Sequence, residues 1–294
     1  MTTRPGPPPD QLITAVDQRR PAILDAIRGA RRQVTLSLFR CNDTAILDEL
    51  ADATARGVVV DVLVTSRAKG GRKKIEKLWG ALEATGAAVK AYTDPVVKYH
   101  AKYLVADDGP AIVASLNVTR KCFRKTCDAL VVTHDPAVIS GLRAVWTADC
   151  SASPIPSGLT ERLIVGPERA RRQFTALLES ARHSIRLIDA KLSDPDLVSL
   201  LNARRAAGIE VELFSGTRAG ALKSHGKILL VDDRTLVVGS LALAALSLDF
   251  RREVAIVVHE PAAVAVARDL FDVVREADRE RARAAGPSRG EAQW

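Results

Sequence analysis

Apolar and polar positions along the chain change rhythm in a fixed order, and that order occurs twice. Stretches of helical periodicity alternate with the strand-like apolar runs ARRQVTLSLF (30–39) and GVVVDVLV (57–64). The runs ARHSIRLIDA (181–190) and GIEVELFS (208–215) match them at a constant offset of 151 residues. Strands that alternate with helices predict an α/β architecture, and the constant offset indicates an internal repeat.

The later part of each repeat matches at a shorter offset. HAKYLVADD (100–108) aligns with HGKILLVDD (225–233), which lies 125 residues further on. The change from 151 to 125 leaves 26 additional residues in the first half, between Thr65 and Lys98. We therefore expect the first half to contain structure that the second half lacks.

These matches divide the chain into two halves. We predict a first half over 21–150, a linker rich in Ser, Pro and Gly at 151–158, and a second half over 159–285. The segments 1–20 and 286–294 are predicted to be flexible tails. Two halves related by a pseudo-twofold axis would place one site at their junction.

Composition and charge narrow the class of protein without identifying its substrate. The 294 residues are 47% hydrophobic and 27% charged, which is typical of a globular protein with a substantial core. Lys and Arg number 43 against 35 Asp and Glu, and the resulting charge of +8 favours anionic partners. The four cysteines lack CxxC spacing, so neither a disulfide framework nor a cysteine-built zinc site is expected. No apolar run reaches the roughly 20 residues of a membrane span, so we expect a cytoplasmic protein, peripheral to the membrane if it acts on lipid.

The repeated segment carries the side chains suited to chemistry. Three of them recur in register, in the pairs His100 and His225, Lys102 and Lys227, and Asp107 and Asp232. Six residues separate each aspartate from the next matched segment, which is ASLN (114–117) in the first half and GSLA (239–242) in the second. The pattern is HxKx4Dx6(G/A)SxN, with Ala242 in place of the final Asn in the second copy.

The spacing suggests how these groups converge. If KYHAKYLVAD forms a strand, His100 and Lys102 share one of its faces, and a turn at DDG (107–109) returns the chain so that Ser115 and Asn117 face the same place. An imidazole, an ammonium, a hydroxyl and a carboxamide together suit a phosphate group. Two such hairpins would set two histidines about one phosphorus atom, one as nucleophile and the other as acid and base.

This duplicated pattern resembles the phospholipase D superfamily, the HKD phosphodiesterases, over nearly the whole chain. The resemblance implies a duplicated α-β-α sandwich with mixed sheets, whose two halves share one active site. It implies hydrolysis or transfer of phosphodiesters through a phosphohistidine, with no metal and no other cofactor. A second copy of the chain is not required for the site, because both motifs lie in one chain.

The resemblance also implies a role for each matched residue. His100 would be the nucleophile and His225 the acid and base, while the phosphoryl oxygens would be held by Lys102, Lys227, Ser115, Asn117 and Ser240. Asp107 and Asp232 would be mainly structural. An acid downstream usually supports the catalytic histidine, and the candidates Asp128 and Glu253 each follow the histidine of their own half by 28 residues.

Other polar residues have ordinary interpretations. We expect His134, His183 and His259 to be structural. The basic run SRAKGGRKK (66–74) is expected to be solvated surface, whereas TRKCFRK (119–125) follows the motif directly and is predicted either to be surface or to line the mouth of the site. Arg251 and Arg252 hold a similar place in the second half.

Three functions remain open at this stage. The first, which we favour, is an enzyme of phospholipase D or cardiolipin synthase type that acts on anionic phospholipids. The second is a metal-independent nuclease, for which the basic charge is suitable. The third is a weakened phosphate-binding protein, because Ala242 removes a donor whose loss can lower a rate by about 10²–10³. Both histidines and both lysines are present, so we expect activity.

Overall fold

The computed structural model describes residues 9–67, 72–216 and 218–285. The elements of the first half are β1 (Gln11–Ile13), α1 (Arg19–Gly29), β2 (Gln33–Leu38), α2 (Thr44–Ala55), β3 (Val59–Thr65), α3 (Arg72–Glu83), β4 (Ala88–Tyr92), β5 (Lys98–Tyr99), β6 (Tyr103–Ala106), β7 (Ala111–Ala114), α4 (Arg120–Arg124), β8 (Thr126–Cys127), β9 (Leu130–Thr133) and α5 (Pro136–Ser151).

The second half repeats this order with fewer elements. They are β10 (Leu163–Gly166), α6 (Ala170–Ser180), β11 (Ser184–Asp189), α7 (Pro195–Ala206), β12 (Glu210–Phe214), β13 (Arg218–Ala219), β14 (Leu222–Ser224), β15 (Lys227–Val231), β16 (Thr235–Gly239), α8 (Ala245–Phe250), β17 (Arg251–Val258) and α9 (Pro261–Ala285). The additional segment of the first half supplies α3 and the edge strand β4.

Each half is built on one mixed sheet. The strand order is β1-β9-β7-β6-β2-β3-β4 in the first half and β10-β17-β16-β15-β11-β12 in the second. The pairs β2–β3, β3–β4 and β11–β12 are parallel, and the remaining neighbours along these two orders are antiparallel. The predicted duplicated fold with mixed sheets is therefore confirmed.

Alternation along the strands explains the layers. Tyr103 and Val105 of β6 point into a core that both halves share with α5 and α9, whereas Leu104 and Ala106 point to the opposite face, under α1 and α2. The second sheet has its own outer core with α6 and α7. Three apolar layers result, and the central one joins the two halves.

The N-terminal segment differs from the prediction in extent. The tail predicted over 1–20 is shorter, because β1 pairs antiparallel with β9 and Arg19 is buried at the start of α1. Asp10 forms an ion pair with Arg162 of the second half, which also fixes this segment. Residues 1–8 and the predicted tail 286–294 lie outside the described residues.

Two short strand pairs cross between the halves. β5 runs parallel to the start of β17, pairing Lys98 with Arg251, and β14 runs parallel to β8, pairing Lys223 with Thr126. These pairs correspond to each other under the 125-residue offset of the repeat. They bring the segment before each motif histidine against the other half.

The length and the polarity of the helices decide whether any of them could span a bilayer. Within the described residues, no helix is both long enough and apolar enough to cross a membrane. The 25-residue helix α9 buries one face in the shared core, and its exposed residues are mostly polar apart from Val266 and Val273.

Candidate active site

The crossed strand pairs decide which acid meets which histidine. Glu253 comes directly after the two residues of β17 that pair with β5. Its carboxylate Oε1 therefore contacts Nδ1 of His100. Asp128 follows β8, so its two carboxylate oxygens lie 2.9 and 3.1 Å from Nδ1 of His225. Each histidine is therefore supported by the acid of the other half. Both acids bind Nδ1, so neither occupies Nε2, which in His100 lies 3.2 Å from Nζ of Lys102.

His100 lies in the more enclosed of the two environments. Its side chain is 12% exposed, and the ring of Phe39 meets it edge to face with a centroid distance of 4.5 Å. Burial lowers the pKa of His100 well below the ordinary value, and the charges of Lys102 and Lys227 lower it further. Burial also raises the pKa of Glu253. We infer that this pair holds a neutral imidazole, which is the form a nucleophile requires.

His225 lies against a carboxylate that is held in its charged form. Burial alone would raise the pKa of Asp128, but hydrogen bonds from His225 and Thr126 and the charge of Lys227 outweigh burial and lower it. Ser115 and Thr126 donate hydroxyl hydrogen bonds of 2.7 and 2.6 Å to the two oxygens of Asp128. An ionised Asp128 can stabilise a positive charge on His225, as an acid catalyst requires.

The two motif lysines are buried beside the histidines. Lys102 Nζ donates to the backbone oxygen of His100 at 2.7 Å and lies 3.1 Å from Nδ1 of its ring. Lys227 Nζ makes the equivalent bond to the backbone oxygen of His225. Burial lowers the pKa of Lys102 well below its usual value, against the attraction of Glu253. An anion bound here would favour the charged form of Lys102.

The residues between His100 and Lys102 do not form the continuous strand that the sequence suggested. Residues 100–102 lie between β5, which pairs with the other half, and β6, which belongs to the first sheet. The convergence of His100 and Lys102 therefore comes from a change of sheet partner, and not from a shared strand face.

Ser115 and Ser240 are placed differently from the expectation that they hold phosphoryl oxygens. Both are fully buried. The hydroxyl of Ser115 donates to Asp128 and accepts from the backbone N–H of Ala129, and that of Ser240 bonds the N–H and carbonyl of Val254. A hydroxyl has one proton to donate, so neither serine keeps a free donor for a phosphate. They position the strand that carries each acid.

Asn117 retains free hydrogen-bonding capacity. It is 8% exposed, and its side-chain oxygen is buried without a hydrogen-bond partner in the described part of the chain. That oxygen can only accept a hydrogen bond, so the amide nitrogen Nδ2 is the group of Asn117 that could donate to an anionic phosphate oxygen. At the equivalent place in the second half, Ala242 is buried and its backbone N–H donates to Ser247.

The motif aspartates stand away from the histidines, at the other end of the hairpin strands. Asp107 has φ of 43° and accepts the backbone N–H groups of Arg31, Arg32 and Gln33. Asp232, with φ of 53°, accepts those of Arg182, His183 and Ser184. Each aspartate thus ties the turn of the hairpin to the start of the central strand.

The exposure of the cations in the basic run 119–125 fits both roles predicted for the run, as solvated surface and as the mouth of the site. Arg120, Lys121, Arg124 and Lys125 are all exposed on or just after α4, which begins three residues after Asn117. Arg252 is different, because it is buried and bonds Asp149, Glu168 and the carbonyl of Gly166. Arg252 therefore stabilises the protein interior and is not a candidate cation for the mouth of the site.

Sequence reasoning missed several residues around the histidines. Phe39 packs on His100, Thr126 bonds Asp128, and Ser247 donates to Glu253. Lys191 was also missed, although its charge acts on His100. Phe39 and Lys191 stand at and just beyond the ends of the central strands β2 and β11, which is the one signal that could have identified them.

One group of side chains has the composition of a metal site. In the described residues, ligand atoms of Cys122, Asp128 and His225 lie within 4.8 Å of one another. Asp128 and His225 already bond each other, and Asp128 also accepts two hydroxyl protons. The arrangement is that of a histidine–acid pair with a buried thiol beside it.

Comparison with known proteins supports the assignment of the fold. A family model described as "Cardiolipin synthase, PLD-like domain" matches residues 23–149 and 204–275. Cardiolipin synthase A of Pseudomonas aeruginosa is 30% identical over 131 residues, which are 44% of this chain and 27% of that protein. The match thus spans only about a quarter of the curated relative's length.

Two solved structures share the fold over most of the chain. Phosphatidylserine synthase of Haemophilus influenzae superimposes with a TM-score of 0.66 and 12% identity, covering 92% of this chain and 86% of that one. Polyphosphate kinase of Porphyromonas gingivalis gives 0.73 and 18%, covering 92% of this chain and 47% of that one. At such identities the likeness concerns the fold alone. With the family match over more than half of its residues, the chain belongs to the PLD-like domain family of the phospholipase D superfamily.

Proposed function

We propose that the chain is a phosphodiesterase that hydrolyses or transfers phosphodiesters through a phosphohistidine intermediate. The observation that carries the proposal is the pair of crossed contacts, in which Glu253 supports His100 and Asp128 supports His225. Two histidines, each with a buried acid partner and beside a buried lysine, supply a nucleophile, an acid and an anion site within one chain.

In the first step, Nε2 of His100 attacks phosphorus and the P–O bond to the leaving group breaks. Nδ1 of His100 keeps its proton, which is directed at Glu253. The imidazolium of His225 gives its Nε2 proton to the departing oxygen, so an alcohol leaves and His225 becomes neutral. The ionised Asp128 stabilises His225 before this transfer.

In the second step, neutral His225 accepts a proton from water or from an acceptor alcohol. The resulting oxygen nucleophile attacks phosphorus, and the P–N bond to His100 breaks. Both histidines return to their starting forms. We propose that Lys102, Lys227 and the Asn117 carboxamide hold the non-bridging oxygens, while Ser115 and Ser240 position the acid-bearing strands.

The proposed substrate class is an anionic phospholipid. The formal charge of +8 attracts anionic headgroups to the protein, and the relatives named above include a cardiolipin synthase and a phosphatidylserine synthase. The proposed location is cytoplasmic, with peripheral contact at the membrane surface. A single chain carries the complete set of proposed residues.

The test is turnover of a minimal diester and of lipid vesicles by the purified protein in excess EDTA. We expect hydrolysis of bis-p-nitrophenyl phosphate, and headgroup release from phosphatidylglycerol vesicles, both lost by at least about 10³-fold in His100→Ala. A matched control is His183→Ala, which changes an exposed histidine at the opposite end of the central strand β11. Turnover that persists in His100→Ala contradicts the proposal.

A nuclease is the second candidate, and α4 is the observation in its favour. The four exposed cations at 120–125 lie close after Asn117 and could follow a polynucleotide backbone. Plasmid nicking that survives EDTA, disappears in His100→Ala and exceeds lipid turnover would establish this candidate. Folded protein that binds phosphodiesters without any His100-dependent turnover would instead indicate the weakened binding protein.

A further inference from the structure

The two halves differ most on the wall of the site that the second half supplies. Arg251 occupies the repeat position of Thr126, and Ala242 that of Asn117. In the first half these positions bring a hydroxyl to Asp128 and a carboxamide with a free oxygen. In the second half, Arg251 supplies a guanidinium at the first position, and Ala242 supplies only a methyl group at the second. The departure at Ala242 is thus accompanied by a new cation.

A cleft of about 440 Å³ opens at this wall. Its lining includes Lys191, Ser193, Ala242, Ser247 and Arg251. The volume lies within the range of about 300–1,000 Å³ that is usual for small-molecule sites.

The cleft wall is held in place by a buried carboxylate. Asp189, at the end of β11, accepts the backbone N–H of Lys191 at 2.9 Å and that of Leu243 at 2.7 Å. The repeat position of Asp189 in the first half is Leu38, which has no such capacity. The loop that carries Lys191 is therefore fixed against the loop that follows β16, by a device found in the second half.

The carboxylates nearest the two cations of the cleft, Glu253 and Asp189, already have other hydrogen-bond partners. The Arg251 side chain is 21% exposed and donates no hydrogen bond to the described residues; its guanidinium lies 4.0 Å from Glu253, which already bonds His100. The exposed ammonium of Lys191 has no hydrogen bond or ion pair in the same part of the chain. Burial lowers the pKa of Lys191, and the charges of Lys227 and Arg251 lower it further. Both cations line one cleft, and an anion bound there would offset their mutual repulsion.

We propose that Arg251 and Lys191 form a second anion subsite, beside the catalytic phosphate position, that binds a further phosphate group of the substrate. This rests on the proposed function, because the first phosphate position is the one between the two histidines. The ligand class is a molecule with two phosphate groups. An arginine can hold one phosphate through two parallel hydrogen bonds, and the lysine adds a point charge.

Calorimetric titration of the full chain with inorganic phosphate and with pyrophosphate tests the subsite without turnover. In EDTA we expect pyrophosphate to bind about 10- to 100-fold more tightly than phosphate, as one or two additional charge-assisted hydrogen bonds would produce. Arg251→Gln with Lys191→Gln should reduce that ratio to less than about threefold. Arg251→Lys with Lys191→Arg keeps both charges and should retain most of the ratio.

The matched control also removes two positive charges, but at the opposite ends of the central strands. Arg31 and Arg182 are exposed, and they precede the central strands β2 and β11, whereas Lys191 follows β11. Arg31→Gln with Arg182→Gln should leave the ratio unchanged. An equal loss in this control, or no preference for pyrophosphate in the unmodified chain, overturns the subsite.

Turnover of lipid vesicles tests whether the second phosphate belongs to a lipid headgroup. Vesicles of phosphatidylcholine with phosphatidylinositol 4-phosphate should be turned over faster than those with phosphatidylinositol, and Arg251→Gln should remove the difference. Equal rates with an intact pyrophosphate preference would assign the subsite to free diphosphates instead. If no diester is turned over but the pyrophosphate preference follows Arg251 and Lys191, the proposed function fails and the subsite stands.

Discussion

The two histidine–acid pairs are chemically unequal, although the repeat makes them equivalent in sequence. Glu253 has a raised pKa and faces a histidine whose pKa is lowered well below its ordinary value, so the imidazole of that pair is neutral. Asp128 has a lowered pKa and accepts three side-chain donors. In the proposed mechanism, this difference favours His100 as the nucleophile and His225 as the proton donor.

This inequality predicts unequal effects of neutralising the two acids. Asp128→Asn should lower kcat for bis-p-nitrophenyl phosphate by about 10²–10⁴, because it removes the charge that stabilises the His225 imidazolium. Glu253→Gln should lower it by less, since the amide oxygen can still accept the Nδ1 proton of a neutral His100. Steady-state kinetics of both variants measure this, with thermal unfolding as a check of the fold. A larger loss in Glu253→Gln would reverse the assignment.

The motif aspartates predict a stability effect with a defined pH dependence. Burial alone would raise the pKa of Asp107, but three backbone N–H hydrogen bonds outweigh burial and lower that pKa. A carboxyl group whose pKa is lowered in the folded state stabilises that state above its unfolded pKa, and this contribution is lost as the pH falls through the folded pKa. Asp107→Asn keeps an acceptor oxygen but loses the charge, and should therefore lower the free energy of unfolding by about 1 kcal/mol at pH 7.

Denaturant unfolding from pH 8 to pH 3 measures this effect. The difference between Asp107→Asn and the unmodified chain should be constant down to about pH 5 and should shrink below about pH 4. The control is Asp108→Asn, whose exposed carboxylate contacts only the exposed Arg32 among the described residues. A difference independent of pH would show that the charge of Asp107 is not the stabilising feature.

At the scale of elements, the repeat explains what the sequence could predict. The offsets of 151 and 125 residues located both halves, the additional α3 and β4, and the paired motif. They could not show that the acids cross over, because each acid stands 28 residues after the histidine of its own half and the crossing depends on β5–β17 and β14–β8. Pairing between segments so far apart in sequence leaves no local signal.

The one motif difference at position 114 also has its cause in strand packing. Gly239, the repeat partner of Ala114, lies at the end of β16, where an added Cβ would stand 2.4 Å from the backbone Cα of Ala255. Ala114 itself fits in β7 opposite Leu130 of β9. The second sheet is therefore closer packed at this point than the first, and it tolerates only glycine.

Gly239→Ala should separate β16 from β17 and displace Glu253, two residues before Ala255. We expect it to lower the free energy of unfolding by about 1–3 kcal/mol or more, as forced overpacking does, and to lower diester turnover as well. Gly80→Ala is the control, because its Cβ meets nothing within 4 Å on α3 and alanine favours a helix by about 0.5–1 kcal/mol. Unfolding curves of the two variants should therefore shift in opposite directions, and equal shifts would refute close packing at Gly239.

At the scale of the whole molecule, the two halves form one folding unit around the shared core. That core combines residues such as Val105 and Val131 with Ile228, Val238 and Phe271. The crossed strand pairs and the ion pair of Asp10 with Arg162 add polar connections across the same boundary. The covalent connection at 152–158 is, in contrast, mostly exposed and lies outside regular structure.

Cleavage of that connection should therefore leave the two halves associated and folded. A specific protease site placed between Ser153 and Ser157, once cleaved, should give two fragments that co-elute in gel filtration and retain diester turnover within about twofold. The reason is that every contact proposed for catalysis is either within one fragment or across an interface of buried apolar side chains, which holds without a covalent tether. Unfolding of the cleaved protein should become dependent on protein concentration, since the fragments then separate as they unfold. Fragments that part under native conditions, or that lose turnover while they remain associated, would show that the linker itself orders the site.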